Sequence, residues 1–422
     1  MLPALAIGAF ALCTPLASHD GSGDDSDGDS SDQRRHDQPS EAVEAEEYGA
    51  AVAFVLDLGG LRHTAARAGV LTEILSTADL SWVPTGGADP GTLDLRNLLD
   101  MVLSIDLGTA AGLTGATLVA DVQWIAGDDG SAATGVLQNF SNVDAEHRFQ
   151  LASIWYDQRV EATGTALRLG KMDANEQFAA VDAASHFVHS SMGFSPTILA
   201  LPTYPDPAFG LTVTQELGAS LEIALGVFDG SGQRGVRTGS NGPSSLLHGG
   251  TDPFSIGEVR ATWSAAGGGR LAFGAWHHDG DFARFDGGVD DGASGAYAVF
   301  EQRAWTDGSD DARAIDAFLQ LGTADDAISP IATHVGLGAT FTRPFSERFD
   351  DLLGVGMSMA RTSDDPAAGF DRDHETAIEL FYGFAPAPWI RVKPDVQLVL
   401  NPGGTSQHGD ALVLGLRTTL SL

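Results

Sequence analysis

From Tyr48 onward the chain alternates apolar and polar positions with period two, the spacing that sends successive side chains to opposite faces of a strand. Ala411 to Leu422 puts Leu412, Leu414, Leu416, Leu420 and Leu422 on one face and Gly415, Arg417, Thr419 and Ser421 on the other. His334 to Phe341 sets Val335, Leu337, Ala339 and Phe341 against Gly336, Gly338 and Thr340. Thr376 to Phe384 opposes Ile378, Leu380, Tyr382 and Phe384 to Ala377, Glu379, Phe381 and Gly383. Glu258 to Trp263 opposes Val259, Ala261 and Trp263 to Glu258, Arg260 and Thr262. Turn-rich stretches such as Asp229-Gly230-Ser231-Gly232 and Asp286-Gly287-Gly288 separate such runs. Many short strands with polar connectors predict an all-β fold.

A soluble sandwich alternates as well, so the period alone does not choose between sandwich and barrel. Three features favour a closed antiparallel transmembrane β-barrel. The second face of these strands is mostly small or charged, as a polar lumen requires. Trp82, Trp155, Trp263, Trp276, Trp305 and Trp389 fall near predicted strand ends, where an interfacial girdle would hold them. The chain also stops on a strand, Ala411 to Leu422, which is predicted to close the barrel. A membrane strand needs about 9–11 residues with every backbone group paired, and the longer runs fit.

The N-terminal part is of different composition. Leu2 to Ala17 is apolar but interrupted by Pro3 and Pro15 and shorter than the roughly 20 residues of a spanning helix. Pro15-Leu16-Ala17 ends on a small residue, so residues 1–17 are predicted to be a cleaved export signal. No Lys or Arg precedes the run: either the signal is atypical or the true start lies upstream of Met1. A lipid anchor at Cys13 is disfavoured by bulky Leu12 before it. Asp20 to Glu47 holds eleven acidic residues against Arg34 and Arg35, with almost nothing apolar, and residues 18–47 are expected to be a disordered acidic linker. Asp25, Asp27 and Asp29 alternate as in a calcium loop, but Ser30 stands where the turn glycine belongs and His36 where the closing Glu belongs. Residues 48–422 form the predicted barrel.

Composition removes several kinds of chemistry. The formal net charge of -34 argues against nucleic acid, whose phosphates need a basic face. Cys13 is the single cysteine, which excludes a disulfide framework, a CxxC zinc site and, after export, a cysteine nucleophile. Gly230-Ser231-Gly232-Gln233-Arg234-Gly235 spells GxGxxG, but no helical pattern follows it. His277, His278 and Asp279 are consecutive and point alternately on a strand, and His186 and His189 fall in a loop-like stretch, so no metal is expected. No GxSxG or HExxH motif is present, so no enzyme is predicted and no cofactor is implied.

Several segments resemble the carbohydrate-selective porin family of the OprB type. The most specific is Glu379-Leu380-Phe381-Tyr382, Pro388-Trp389, Pro394-Asp395-Val396-Gln397, Asn401-Pro402-Gly403-Gly404 and Asp410 to Arg417, in that order and spacing. Another is Trp155-Tyr156-Asp157-Gln158, Leu167 to Asp173, Phe178, Phe187, Ser190 to Phe194 and Pro196. Gly59 to Arg62, Gly226 to Gly230 and Glu301-Gln302 are weaker echoes. The resemblance implies a sixteen-stranded antiparallel barrel with short periplasmic turns and longer outer loops, passing sugars by passive diffusion through a narrowed aqueous channel. Tyr48 to Leu422 then allows about 23 residues per strand and connection, which suits membrane strands. The final Leu422, where such barrels usually end on an aromatic, and the acidic linker depart from the family's pattern. The implied partners are small sugars, outer-membrane lipids and, during biogenesis, the barrel assembly machinery; a homo-oligomer is compatible with the family. The implied location is the outer membrane of a bacterium.

Alternation also supplies pore-lining candidates: Arg168, Glu258, Arg260, Glu379, Gln397 and Arg417. An arginine facing lipid at mid-membrane costs about 2–4 kcal/mol, so the lumenal face is favoured. Each could line the narrowest point or brace the wall in an ion pair. Arg62 and Lys171 join the set from the family-like segments. The loop-like stretch His186 to Pro196 is expected to fold inward. Two other functions stay open: a general or cation-preferring diffusion pore, consistent with the acidic surplus, and a secreted soluble β-rich binding protein or adhesin.

Overall fold

The computed structural model of the chain describes residues 60–127, 130–243, 252–308, 313–345 and 350–422. The export signal expected over 1–17, the linker expected over 18–47 and residues 48–59 lie outside the described residues. After a short helix α1 (Leu61–Arg67), the alternating runs become sixteen strands. They are β1 (Val70–Gly87), β2 (Leu93–Asp106), β3 (Ala116–Gly127), β4 (Arg148–Val160), β5 (Thr165–Met172) and β6 (Ala208–Glu216). Next come β7 (Leu221–Asp229), β8 (Pro253–Trp263), β9 (Gly269–Ala283), β10 (Val289–Thr306) and β11 (Ala314–Ala324). The series ends with β12 (Ile331–Thr342), β13 (Leu352–Thr362), β14 (His374–Ala387), β15 (Ile390–Leu400) and β16 (Gly409–Ser421).

Each strand pairs antiparallel with its sequence neighbours, and β1 pairs with β16, from Leu75 opposite Ser421 to Gly87 opposite Gly409. The predicted last strand therefore does close the ring. Closure leaves no edge of unpaired amides, the condition a sheet must meet where no water can pair them. At the end where the chain terminates, connections are short, such as 161–164, 217–220 and 388–389. The long connections, described over 130–147, 173–207 and 230–243, lie at the opposite end.

Alternation is expressed as two faces of contrasting chemistry. Leu95, Leu169, Leu225, Phe273, Val355 and Leu380 are among the exposed residues of an apolar outer surface. Trp82, Trp124 and Trp305 are exposed on that surface, Trp263 stacks on Phe300, and Trp389 sits in the β14–β15 turn. Trp155 and Trp276 depart from the expected girdle: both are buried. Their parity along β4 and β9 points them inward, where Trp276 stacks on Phe254 at 6.1 Å and Trp155 lies under an arginine.

The barrel interior is partly filled. Phe187 in the connection 173–207 packs edge-on against Phe318 of β11 at 5.6 Å and Phe381 of β14 at 5.0 Å. Phe178 meets Phe228 of β7 in the same way at 6.3 Å. Edge-to-face pairs add about 0.5–1.5 kcal/mol each beyond the area they bury. Glycine makes the approach feasible: a β-carbon at Gly354 would overlap the Phe381 ring, and one at Gly356 would press on Phe187 and Met192. The apolar half of the lumen thus holds a long connection flat against the wall.

Candidate functional site

Connection 173–207 runs inside the lumen along the wall from β8 to β15 because wall carboxylates accept its backbone N–H groups in sequence. Glu258 of β8 accepts from Ala179 N at 2.8 Å, and Glu301 of β10 from Ala183 N at 2.6 Å. Glu379 of β14 accepts from Val188 N at 2.8 Å and His189 N at 2.9 Å, one on each oxygen. Lys393 of β15 donates to His186 O, and Gln320 of β11 donates to Ser191 O and Met192 O at 2.7 and 2.9 Å. The segment pairs some of its own amides in short turns, such as Phe187 N to Ala184 O at 3.0 Å, and each wall contact satisfies a further group that burial would otherwise leave costly. The stretch expected to fold inward, His186 to Pro196, lies within this connection. Burial pushes the His189 imidazole down to about 3, and burial with Lys393 and Arg391 does the same to His186, so both are neutral.

A second segment, residues 130–147, also turns inward. Glu375 of β14 accepts from Leu137 N and Gln138 N at 2.8 and 2.9 Å, and Gln397 of β15 donates to Phe140 O at 2.8 Å. Arg96 of β2 pairs with Asp144 at 2.7 Å. Arg417 of β16 meets Asp79 of β1 through two arms at 2.7 Å each and reaches Asn142 Oδ1 at 2.7 Å. The two inward segments are joined: Asn142 N donates to Val188 O at 2.8 Å, and Ser190 Oγ donates to Asn139 O at 2.7 Å.

On the rest of the inner wall, arginines and carboxylates stand directly opposite one another across neighbouring strands. The opposed residues are Asp157 and Arg168, Glu222 and Arg260, Arg270 and Glu301, and Arg303 and Asp316. Arg168 bonds Asp157 at 3.3 Å and Glu176 at 3.1 Å while its guanidinium lies 3.8 Å from the Trp155 ring centre. Burial pushes the Glu176 carboxyl up to about 7 against the opposing pull of Arg168. Arg270 bonds Glu301 at 2.7 Å and Ala180 O at 2.6 Å. A cavity of about 490 Å³ opens here, lined by Asp182, His186, Arg270, Glu301, Asp316 and Thr340 among others.

The predicted residues fall into three groups. Arg168 and Arg260 face inward and stay partly exposed, each in ion pairs on the wall. Glu258, Glu379, Gln397 and Arg417 face inward but are buried, occupied by the inward segments or by Asp79. Arg62 and Lys171 are not on the lumenal face of a strand. Arg62 lies on α1 and donates to Thr72 O at 2.6 Å. Lys171 has the opposite parity to Arg168, and its ammonium is taken up by the carbonyls of Leu151, Gly239 and Asn241 at the rim. Period two forbids both residues from sharing one face.

Sequence reasoning did not select Asp79, Asp157, Glu222, Arg270 and Glu301 as lumenal candidates, although each lies within a strand at a position the same alternation carries inward. It had no means of finding Asn139 and Asn142, which lie on an aperiodic connection. His277 and His278 point apart: His277 bonds Ser294 and Asp279, while His278 bonds Gly230 O. The GxGxxG stretch holds only a short turn of helix, Ser231–Arg234. Among the described residues no group of three His, Cys, Asp or Glu is arranged to hold a metal ion.

A sixteen-strand closed barrel with connections drawn into its lumen is the architecture of a porin. The sequence profile of the carbohydrate-selective porin, OprB family matches residues 92–422, and the chain belongs to that family. Porin B of Pseudomonas aeruginosa is 27% identical over 142 residues, 29% of this chain and 31% of that protein. Porin AaxA of Chlamydia pneumoniae is 28% identical over 107 residues, 25% of this chain and 24% of that protein. These matched stretches thus span less than a third of either relative. Among solved structures, the high-pH form of Pseudomonas putida OprB superposes with a TM-score of 0.79 at 18% identity, covering 87% of this chain and 97% of that one. The outer membrane channel DcaP of Acinetobacter baumannii gives 0.51 at 9% identity, covering 84% and 97%. At such identities the likeness is one of fold.

Proposed function

We propose that this chain is an outer-membrane channel for the passive diffusion of small sugars. The observation that carries this reading is the connection 173–207, held inside the lumen by wall carboxylates beside a belt of opposed arginines and carboxylates. A sugar crossing such a constriction exchanges water for hydrogen bonds from guanidinium groups and to carboxylates, each weak enough to release it. Interior aromatic rings are packed away, Trp155 beneath Arg168 and Phe187 in the core. Hydroxyl contacts at Arg168, Arg260 and Arg270, rather than ring stacking, therefore carry recognition. Membership of the OprB family supports the same reading and a location in a bacterial outer membrane. The long connections then face the outside, lipids cover the apolar band, and the barrel assembly machinery inserts the chain.

Planar-bilayer recording tests the proposal: glucose should reduce the current in a saturable way, and a current indifferent to glucose would sink it. The inward carboxylates Asp100 and Asp121, which form no salt bridge among the described residues, favour a second reading as a cation-preferring diffusion pore. An unblocked current with strong cation preference is the result that reading expects.

A further inference from the structure

Asn142 occupies an unusual position for an exposed side chain on an aperiodic connection. Its Oδ1 accepts from Arg417 Nη2 at 2.7 Å, while its Nδ2 donates to Phe187 O at 3.3 Å and its backbone N–H to Val188 O at 2.8 Å. It therefore touches two features at once. One is the Asp79–Arg417 pair, which lies in the register where the first strand meets the last. The other is the part of connection 173–207 whose next N–H groups are held from the opposite side by Glu379. Residues 187 and 188 are thus gripped from both sides, by the β14 wall and by Asn142.

We infer that Asn142 is the positioning residue of the channel, carrying the geometry of the closing seam to the segment that narrows the lumen. The physical argument is one of degrees of freedom. A carbonyl pair held on one side only can swing about its anchor, whereas one held on both sides has a single placement. Arg417 is itself locked by two bonds to a buried carboxylate, so the arm that reaches Asn142 has little freedom to follow a wandering loop. The bore is consequently defined only once the seam is closed, and an unclosed barrel would not hold its constriction.

The inference rests on connection 173–207 narrowing the passage, and salt current alone tests it. A channel that ignores glucose would sink the sugar reading and leave this one standing. Asn142→Ala should migrate as a folded barrel yet conduct about two-fold more, with noisier open-channel current, because Phe187 O and Arg417 both lose their side-chain partner and only the backbone bond to Val188 O is left at that residue. Asn142→Asp keeps the acceptor for Arg417 but loses the donor to Phe187 O, and should show an intermediate rise. Arg417→Lys keeps the charge against Asp79 while losing the arm that reaches Asn142, and should reproduce the Ala phenotype in a folded barrel. Glu146→Ala, on the same connection but paired with Arg237 outside this junction, should conduct as the unsubstituted protein does. Folded Asn142→Ala and Arg417→Lys barrels with unchanged conductance and noise would overturn the inference. If Asn142→Ala does not fold, the Asp and Lys variants decide it by the same current readings.

Discussion

Asp79 of β1 and Arg417 of β16 stand directly opposite each other where the barrel closes, with both carboxylate oxygens met by guanidinium arms at 2.7 Å. Both side chains are almost wholly buried, and Ser141 adds a hydrogen bond to the carboxylate at 2.6 Å.

Removing one partner of such a pair strands the other in a buried site. Arg417→Ala is expected to destabilise the folded barrel by about 3–5 kcal/mol. Neutralising both, as in Asp79→Asn with Arg417→Met, should cost less than the single Arg417→Ala change. Urea titration of the folded, heat-modifiable band measures both; a double variant as unstable as the sum of the singles would contradict the pairing.

Arg168 and Lys171 lie three residues apart and predict different outcomes. Arg168→Ala uncovers Trp155 and leaves Asp157 and Glu176 without their cation. Glucose block should then weaken by about ten-fold, the equivalent of one charge-assisted hydrogen bond, and cation preference should rise. Lys171→Met should leave conductance and block alone and lower only the unfolding midpoint, since its ammonium holds rim carbonyls. Equal effects on current from both changes would show that parity along β5 does not separate their roles.

Glu379 holds two consecutive N–H groups of the narrowing segment. Glu379→Gln retains one acceptor and turns an amide NH2 toward the other N–H, so one of the two bonds is lost, at a cost of about 1–3 kcal/mol for a buried donor left unsatisfied. Its single-channel current should grow and fluctuate. Deleting residues 186–196 should enlarge it further, and a deletion variant with unchanged conductance would place the constriction elsewhere.

Glu176 gives a pH signature. Its carboxyl is raised to about 7 in the folded protein, so the folded state binds that proton more tightly than the unfolded chain does. Its contribution to stability is therefore fully present below its ordinary value near 4.5 and is lost as pH rises through about 7. The negative charge that appears over the same range should raise cation over anion permeability. Reversal-potential measurements between pH 5 and 9 (about two units either side of the midpoint) should show this rise, and Glu176→Gln should flatten it.

Alternation in the sequence determined the two faces of each strand, while the count of sixteen was implied by the family resemblance. Leu412 to Leu422 on one face and Arg417 and Thr419 on the other settled which residues meet lipid, because period two admits only two faces and lipid accepts only one of them. The same rule carries Arg168, Arg260, Glu258 and Glu379 to the inside, and it separates Lys171 from Arg168 once the parity is counted. It could not distinguish an inward residue that meets passing solute from one that grips a loop. That distinction depends on what fills the lumen. Connections 130–147 and 173–207 have no period and no helical pattern, and their course is dictated by partners far away in sequence: Glu379 for Val188, Arg417 for Asn142, Glu375 for Gln138. Only the closed barrel brings those partners within hydrogen-bonding reach. So Glu258, Glu379, Gln397 and Arg417, inward by sequence, became anchors in the tertiary structure. The belt of paired arginines remained partly exposed on the inner wall.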